Sequence, residues 1–155
     1  MVLPSRILIV ENNSLFRATL CQQLALEGFN NVTEVGLLAN FDDILSDTNP
    51  DLILLSSQMP DGNSVEICKR LRSNGFSKSI IMLIPKGAED FIVPGLEAGA
   101  NNYITKPFRL VELIALIRSH PFEPGKLNDM QFEIGNLSFE PANKMLVDTG
   151  SDSVQ

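Results

Sequence analysis

Three short apolar runs constrain this chain more than any other feature. Arg6-Ile-Leu-Ile-Val10, Leu52-Ile-Leu-Leu55 and Ile80-Ile-Met-Leu83 are rich in branched side chains and lack polar alternation. Runs of this length and type fit strands buried on both faces of a parallel sheet. Asn31 to Val35 and Asn102 to Thr105 carry a weaker form of the pattern, expected of edge or near-edge strands.

Helical patterns lie between these runs. Phe16, Leu20 and Leu24 form an apolar stripe over Ser14 to about Glu27, with Gly28 where the helix stops. Asn40 to Ser46 reads as a short second helix before Pro50. Asn63 or Ser64 caps a third, with Val65, Cys68 and Leu71 inward and Lys69, Arg70 and Arg72 outward. Leu110, Leu113, Ile114 and Ile117 give the inner face of a helix ending at His120. The stretch from Ala88 to Ala98 contains Pro94, which removes a donor and clashes with the preceding turn. That helix is expected to be kinked, or to start late with Pro94 in its first turn and Gly99 at its end. Alternating strands and helices over residues 5–120 predict an α/β fold: a flavodoxin-like (βα)5 doubly wound parallel sheet. Its site belongs at the carboxyl ends of the strands, just after Val10, Leu55, Leu83 and Thr105.

The net charge of −7 gives no global attraction to nucleic acid or an anionic membrane. The two cysteines, Cys21 and Cys68, form neither a disulfide framework nor a metal-ligand spacing and read as small buried apolar residues. A strand begins within five residues of the N-terminus, which leaves no room for a signal peptide. The apolar runs fall short of the roughly 18 residues of a membrane span, so a cytoplasmic location is expected. The carboxyl edge carries no glycine-rich phosphate loop, nucleophile–base pair or metal spacing, which argues against an enzyme.

Five strings at that edge, in order, carry a resemblance. Ile7-Leu-Ile-Val-Glu11, Asp51-Leu-Ile-Leu-Leu55, Met59-Pro-Asp-Gly62, Gly95-Leu-Glu-Ala-Gly-Ala100 and Tyr103-Ile-Thr-Lys-Pro-Phe108 resemble the receiver domains of bacterial response regulators of the OmpR/PhoB type. The resemblance implies phosphoryl transfer from a histidine kinase to an aspartate. It implies Mg²⁺ held by acids after the first and third strands, with a hydroxyl and a lysine on the phosphoryl oxygens. It also implies a cis bond between Lys106 and Pro107.

The chain departs from that pattern. The acidic pair reads Glu11 and Asn12, the acceptor position is Ser56, and the hydroxyl position is Ile84. Glu11 and Lys106 alone remain, and their charges cancel where the family pocket is net negative. Mg²⁺ binding is therefore expected to be weak or absent, and no cofactor is expected. Serine forms no acylphosphate and has no neighbouring base; His120 reads as a solvent-facing helix end. Asp61 reads as turn geometry, not a substitute acceptor, and Ser57 and Gln58 as loop polar residues. Lys106 is expected to pair with Glu11 or donate to Ser56, giving a pocket fixed in one state.

The resemblance further implies a symmetric dimer face on the fourth helix, fifth strand and fifth helix. The matching positions here are Ile92, Glu97, Asn101, Asn102, Tyr103, Glu112, Leu116 and Arg118, with Ile92 and Leu116 where basic residues are usual. Constitutive dimerisation is the expectation. Residues 121–130 read as a linker. Residues 131–155 alternate like a small antiparallel β-meander that resembles the leading strands of a winged-helix effector. DNA contact is then expected only through effector parts that this chain lacks, as in a truncated product. Two functions remain: an atypical receiver that controls a DNA-binding effector, or a stand-alone module binding a kinase, phosphatase or anti-regulator.

Overall fold

A computed structural model describes residues 4–119. The elements run β1 (Ile7–Val10), α1 (Ser14–Leu26), β2 (Val32–Val35), α2 (Phe41–Thr48), β3 (Leu52–Ser56), β4 (Gln58–Met59), β5 (Gly62–Asn63), α3 (Ser64–Ser73), β6 (Ser79–Ile84), α4 (Ile92–Ala98), β7 (Asn102–Thr105) and α5 (Leu110–Ser119). Five strands form one sheet in the order β2-β1-β3-β6-β7, and β4 and β5 make a two-stranded antiparallel hairpin. Every pairing in the larger sheet is parallel. This is the doubly wound α/β fold expected from the apolar runs. No described helix is long and apolar enough to cross a membrane.

The runs lack alternation because both sheet faces are covered. Leu8, Val10, Ile53, Leu55, Ile80, Met82 and Ile84 pack with Phe41 of α2, Val65, Cys68 and Leu71 of α3, and Ala98 of α4. Ile7, Ile9, Leu52, Leu54, Ile81 and Leu83 pack with Leu20 and Leu24 of α1 and Leu113, Ile114 and Ile117 of α5. Burying such a side chain fully contributes about 1.5–3 kcal/mol. Chain order reverses around β1, so the edge beyond β1 and β3 is the switch point of the fold.

Local chemistry sets the helix starts. The Asn13 side chain accepts from the Phe16 amide at 3.0 Å, and Asn63 accepts from the Val65 amide at 2.9 Å. Helix α4 takes the late-start option: Pro94 is its third residue, where a backbone donor would have no intrahelical partner. Gly99 closes α4 at φ 123°, and a Cβ there would lie 2.5 Å from Arg72 Cγ.

Several expectations need correction. Helix α2 runs to Thr48, β3 reaches Ser56, and β6 extends from Ser79 to Ile84. Cys68 is buried but Cys21 is half-buried, and both are free thiols. Ser57 is buried, with its amide donating to the Leu83 carbonyl at 2.9 Å. Arg72 is not outward. Its guanidinium donates to the carbonyls of Gly99, Phe76 and Lys78 and to Asn101 Oδ1. Three carbonyl acceptors that a loop would leave unpaired thus share one cation, and burial lowers the pKa of that guanidinium. His120, the linker and the meander lie outside the described residues.

Asp51 closes the opposite, amino edge of the sheet. Its carboxylate accepts from the Ser5 hydroxyl at 2.7 Å, the Ser5 and Arg6 amides, and Lys78 Nζ at 3.1 Å. Partial burial alone would raise its pKa, but the bonds from Ser5, Lys78 and Arg6 outweigh it and hold the carboxyl below its ordinary value. A depressed folded value stabilises above the unfolded pKa, about 3.9, and the gain disappears as pH falls through the folded value. Asp51→Ala should therefore lose about 2 kcal/mol in urea unfolding at neutral pH. The difference from the parent chain should shrink as pH is lowered below about 4.

Candidate functional site

Four strand ends bring the site residues to one edge. In register, Val10 of β1 lies beside Leu55 of β3, so Glu11 leaves its strand next to Ser56. Ser56 pairs with Leu83 of β6, and Ile84 pairs with Thr105 of β7. The Lys106 amide donates to the Ile84 carbonyl at 2.8 Å, carrying the parallel pattern one residue past β7. The Lys106–Pro107 peptide is cis.

Glu11 is 3% exposed, so its charge has little water and must be met by protein. Both carboxylate oxygens are engaged. Oε1 accepts from Lys106 Nζ at 2.6 Å, and Oε2 accepts from the Asn13 amide at 2.9 Å. Of the two partners expected for Lys106, the geometry selects Glu11. The Ser56 hydroxyl turns instead to its own loop, donating to the Gln58 carbonyl at 3.3 Å. The Ser64 hydroxyl at the start of α3 donates to the Ser56 carbonyl, which fixes the backbone at that position.

The other positions point elsewhere. Asn12 Nδ2 donates to the Gly36 carbonyl at 3.2 Å, away from Lys106. Ile84 is fully buried in the layer beneath α2, α3 and α4. Asp61 caps the turn before α2, accepting from the Leu38 and Ala39 amides at 2.9 Å each. The Leu38 bond leads in lowering its carboxyl pKa, which gives the residue a structural use. Arg17 adds a second cation near the edge. It donates to the Glu11 carbonyl at 2.7 Å and to Glu34 at 3.0 Å.

These residues do not fit Mg²⁺. An octahedral ion wants several hard oxygens with spare lone pairs. One carboxylate is present, and it is already held by an ammonium and an amide. Asn12 is committed to Gly36 and Ser56 to Gln58. Among the described residues no cluster of three or more acidic, histidine or cysteine side chains is placed to hold a metal.

The proposed partner face lies around β7, the strand at one end of the sheet. Glu97, Glu112 and Arg118 are exposed, and Tyr103 is 37% exposed. Asn101 and Asn102 are partly buried. Asn101 accepts from the Ile80 amide and Arg72, and Asn102 accepts from the Tyr103 amide. Glu112 accepts from the Arg109 amide at the start of α5. Ile92 and Leu116 are half-buried against opposite core layers. Sequence reasoning missed Val93, Leu96 and Val111, which are 61%, 40% and 62% exposed on α4 and α5. Their signal was available: each is an apolar residue off the inner stripe of its helix.

The family model for the response regulator receiver domain matches residues 7–118. The phosphate regulon transcriptional regulatory protein PhoB of Shigella dysenteriae is 32% identical over 157 residues, covering 97% of this chain and 66% of that protein. Response regulator MprA of Mycobacterium sp. strain KMS is 34% identical over 118 residues, covering 76% and 50%. The receiver domain of TorR, the TMAO respiratory system response regulator, superposes with a TM-score of 0.69 at 31% identity, covering 75% and 95%. This chain therefore spans half to two thirds of the length of these curated relatives.

The Glu11–Lys106 pair should behave as one unit. Lys106→Met strands a buried carboxylate and should cost about 3 kcal/mol in denaturant unfolding. Adding Glu11→Gln should recover part of that loss, so that the double-mutant cycle gives a favourable coupling above about 1 kcal/mol.

Proposed function

The chain belongs to the response regulator receiver family, and from that premise we propose that it is an atypical receiver, one that works without accepting a phosphoryl group. A receiver is a signalling domain, not a catalyst in its own right. The single observation that carries the reading is the state of Glu11. Its oxygens are satisfied by Lys106 and Asn13, and the acceptor position beside it is a serine tied to its own loop. A phosphoryl group at that position would need a carboxylate to carry it, a divalent ion to neutralise it and a free lysine to meet it. The residues here supply none of the three in usable form.

Kinship with PhoB and MprA makes transcription control the natural output. In this reading residues 121–130 link the receiver to a β-rich segment, 131–155, that begins a winged-helix effector. DNA is then reached through that effector and not through the acidic receiver. A histidine kinase or another signalling protein remains a partner by docking alone. The receiver self-associates through α4, β7 and α5. Support comes from the exposed apolar side chains there, Val93, Leu96, Tyr103 and Val111, interspersed with Glu97, Glu112 and Arg118. An interface with an apolar centre and a charged rim needs no phosphate to assemble.

Titration with Mg²⁺ and beryllofluoride, followed by amide NMR, should leave Glu11, Ser56 and Lys106 unshifted. Sedimentation of the same sample should give a dimer whose dissociation constant is unchanged by either addition. Saturable shifts at those amides would refute the phosphate-blind reading, and a monomer at all accessible concentrations would refute the dimer.

A further inference from the structure

Lys106 is met by more than a carboxylate. Its ammonium lies 4.5 Å from the centroid of the Phe16 ring on α1. Phe16 is itself fixed by Phe108, which follows the cis proline turn. The two rings sit edge to face, with centroids 5.8 Å apart and planes at 86°. Both phenylalanines also pack against the core layer under α1 and α5. Phe108, Phe16, Lys106 and Glu11 therefore form a continuous series of contacts. It joins the loop before α5, the first turn of α1 and the end of β1.

We propose that Phe16 is a positioning residue, one that holds Lys106 on Glu11 and away from the position a phosphoryl group would occupy at the end of β3. The inference rests on the reading of this pocket as phosphate-blind and names the device that keeps it so. The physical basis is the attraction of an ammonium to the negative face of an aromatic ring, which strengthens as water is excluded. Here the Lys106 side chain is only 20% exposed. The ring covers one side of the ammonium while Glu11 takes a proton donor on another. A lysine free of the ring would be held on Glu11 by the ion pair alone and would leave it more readily for the rotamers that reach across to Ser56. An aliphatic residue at position 16 would continue the stripe with Leu20 and Leu24 but would lose both the edge-to-face contact with Phe108 and the face presented to Lys106. The ring thus serves the core layer through Phe108 and the lysine above it through its face.

The test uses the full chain with labelled lysine. The ε-methylene protons of Lys106 should resonate upfield of the other lysines, shifted by the ring current of Phe16. Phe16→Leu should return them to the ordinary lysine position, and Phe16→Tyr, which keeps the face, should retain the shift. A second arm restores the pocket with Asn12→Asp, Ser56→Asp and Ile84→Thr and measures Mg²⁺-dependent beryllofluoride binding. Adding Phe16→Leu to that background should tighten binding about three- to tenfold by releasing the lysine. An ordinary ε-methylene position in the unaltered chain overturns the proposal, as does equal affinity with and without Phe16 in the restored background. If the restored pocket takes no beryllofluoride, the lysine resonance alone decides. The two readings fail separately. Beryllofluoride binding to the unaltered chain would sink the phosphate-blind function and leave the aromatic hold standing. A missing ring-current shift would do the reverse.

Discussion

A parallel sheet covered on both faces leaves few places where polar side chains can converge, and the carboxyl edge of the strands is the main one. The inner strands β1 and β3 impose that constraint most fully, with every residue buried. Leu8 and Val10 commit β1 to one helical layer while Ile7 and Ile9 commit it to the other. No residue within β1 is left to carry a charge, so the first position free to be acidic is Glu11. The same holds for β3, whose first polar side chain is Ser56, and for β7, which delivers Lys106 one residue past its end. The site is where it is because the interior has no room for it.

What the edge can do follows from how its charges are met. Glu11 is too buried to rely on water, so an uncompensated charge there would be costly. The chain resolves this internally, with Lys106 and the Asn13 amide on its two oxygens. In a pocket with more acids than bases the resolution would come from a cation drawn out of solution. Here one acid and one base neutralise each other, and the neighbouring Arg17 is balanced by Glu34. Electrostatic self-sufficiency at this edge is the physical content of the phosphate-blind function proposed above.

How much of this could be read from the sequence depends on how local the cause is. Two-sided burial writes itself into a strand as an unbroken apolar run, so β1, β3 and β6 were legible. Pro94 acts on its own backbone, and the late start of α4 was one of two options it allows. Arg72 was misread although a signal existed. It stands four residues after Cys68 and seven after Val65, on the inner stripe of α3, and its charge was taken as proof of solvent. Burial is possible there because Gly99, Phe76 and Lys78 offer carbonyls, a fact that only the fold supplies. Asp51 and Phe16 were hidden for the same reason. The partners of Asp51 include Ser5, 46 residues away. Phe16 was correctly read as core, but its other face meets a lysine at the far end of the sheet.

Binding can shift a conformational equilibrium only by as much as it favours one arrangement over the other. At this edge the lysine is held on Glu11 and the serine on Gln58. Under the proposed function a phosphoryl group gains nothing by rearranging these groups. Under the proposed function, control of such a receiver then moves from chemistry to mass action. The fraction dimerised follows the amount of protein and the partners that compete for the α4, β7 and α5 face. Changes to the face would then alter output more than changes to the pocket.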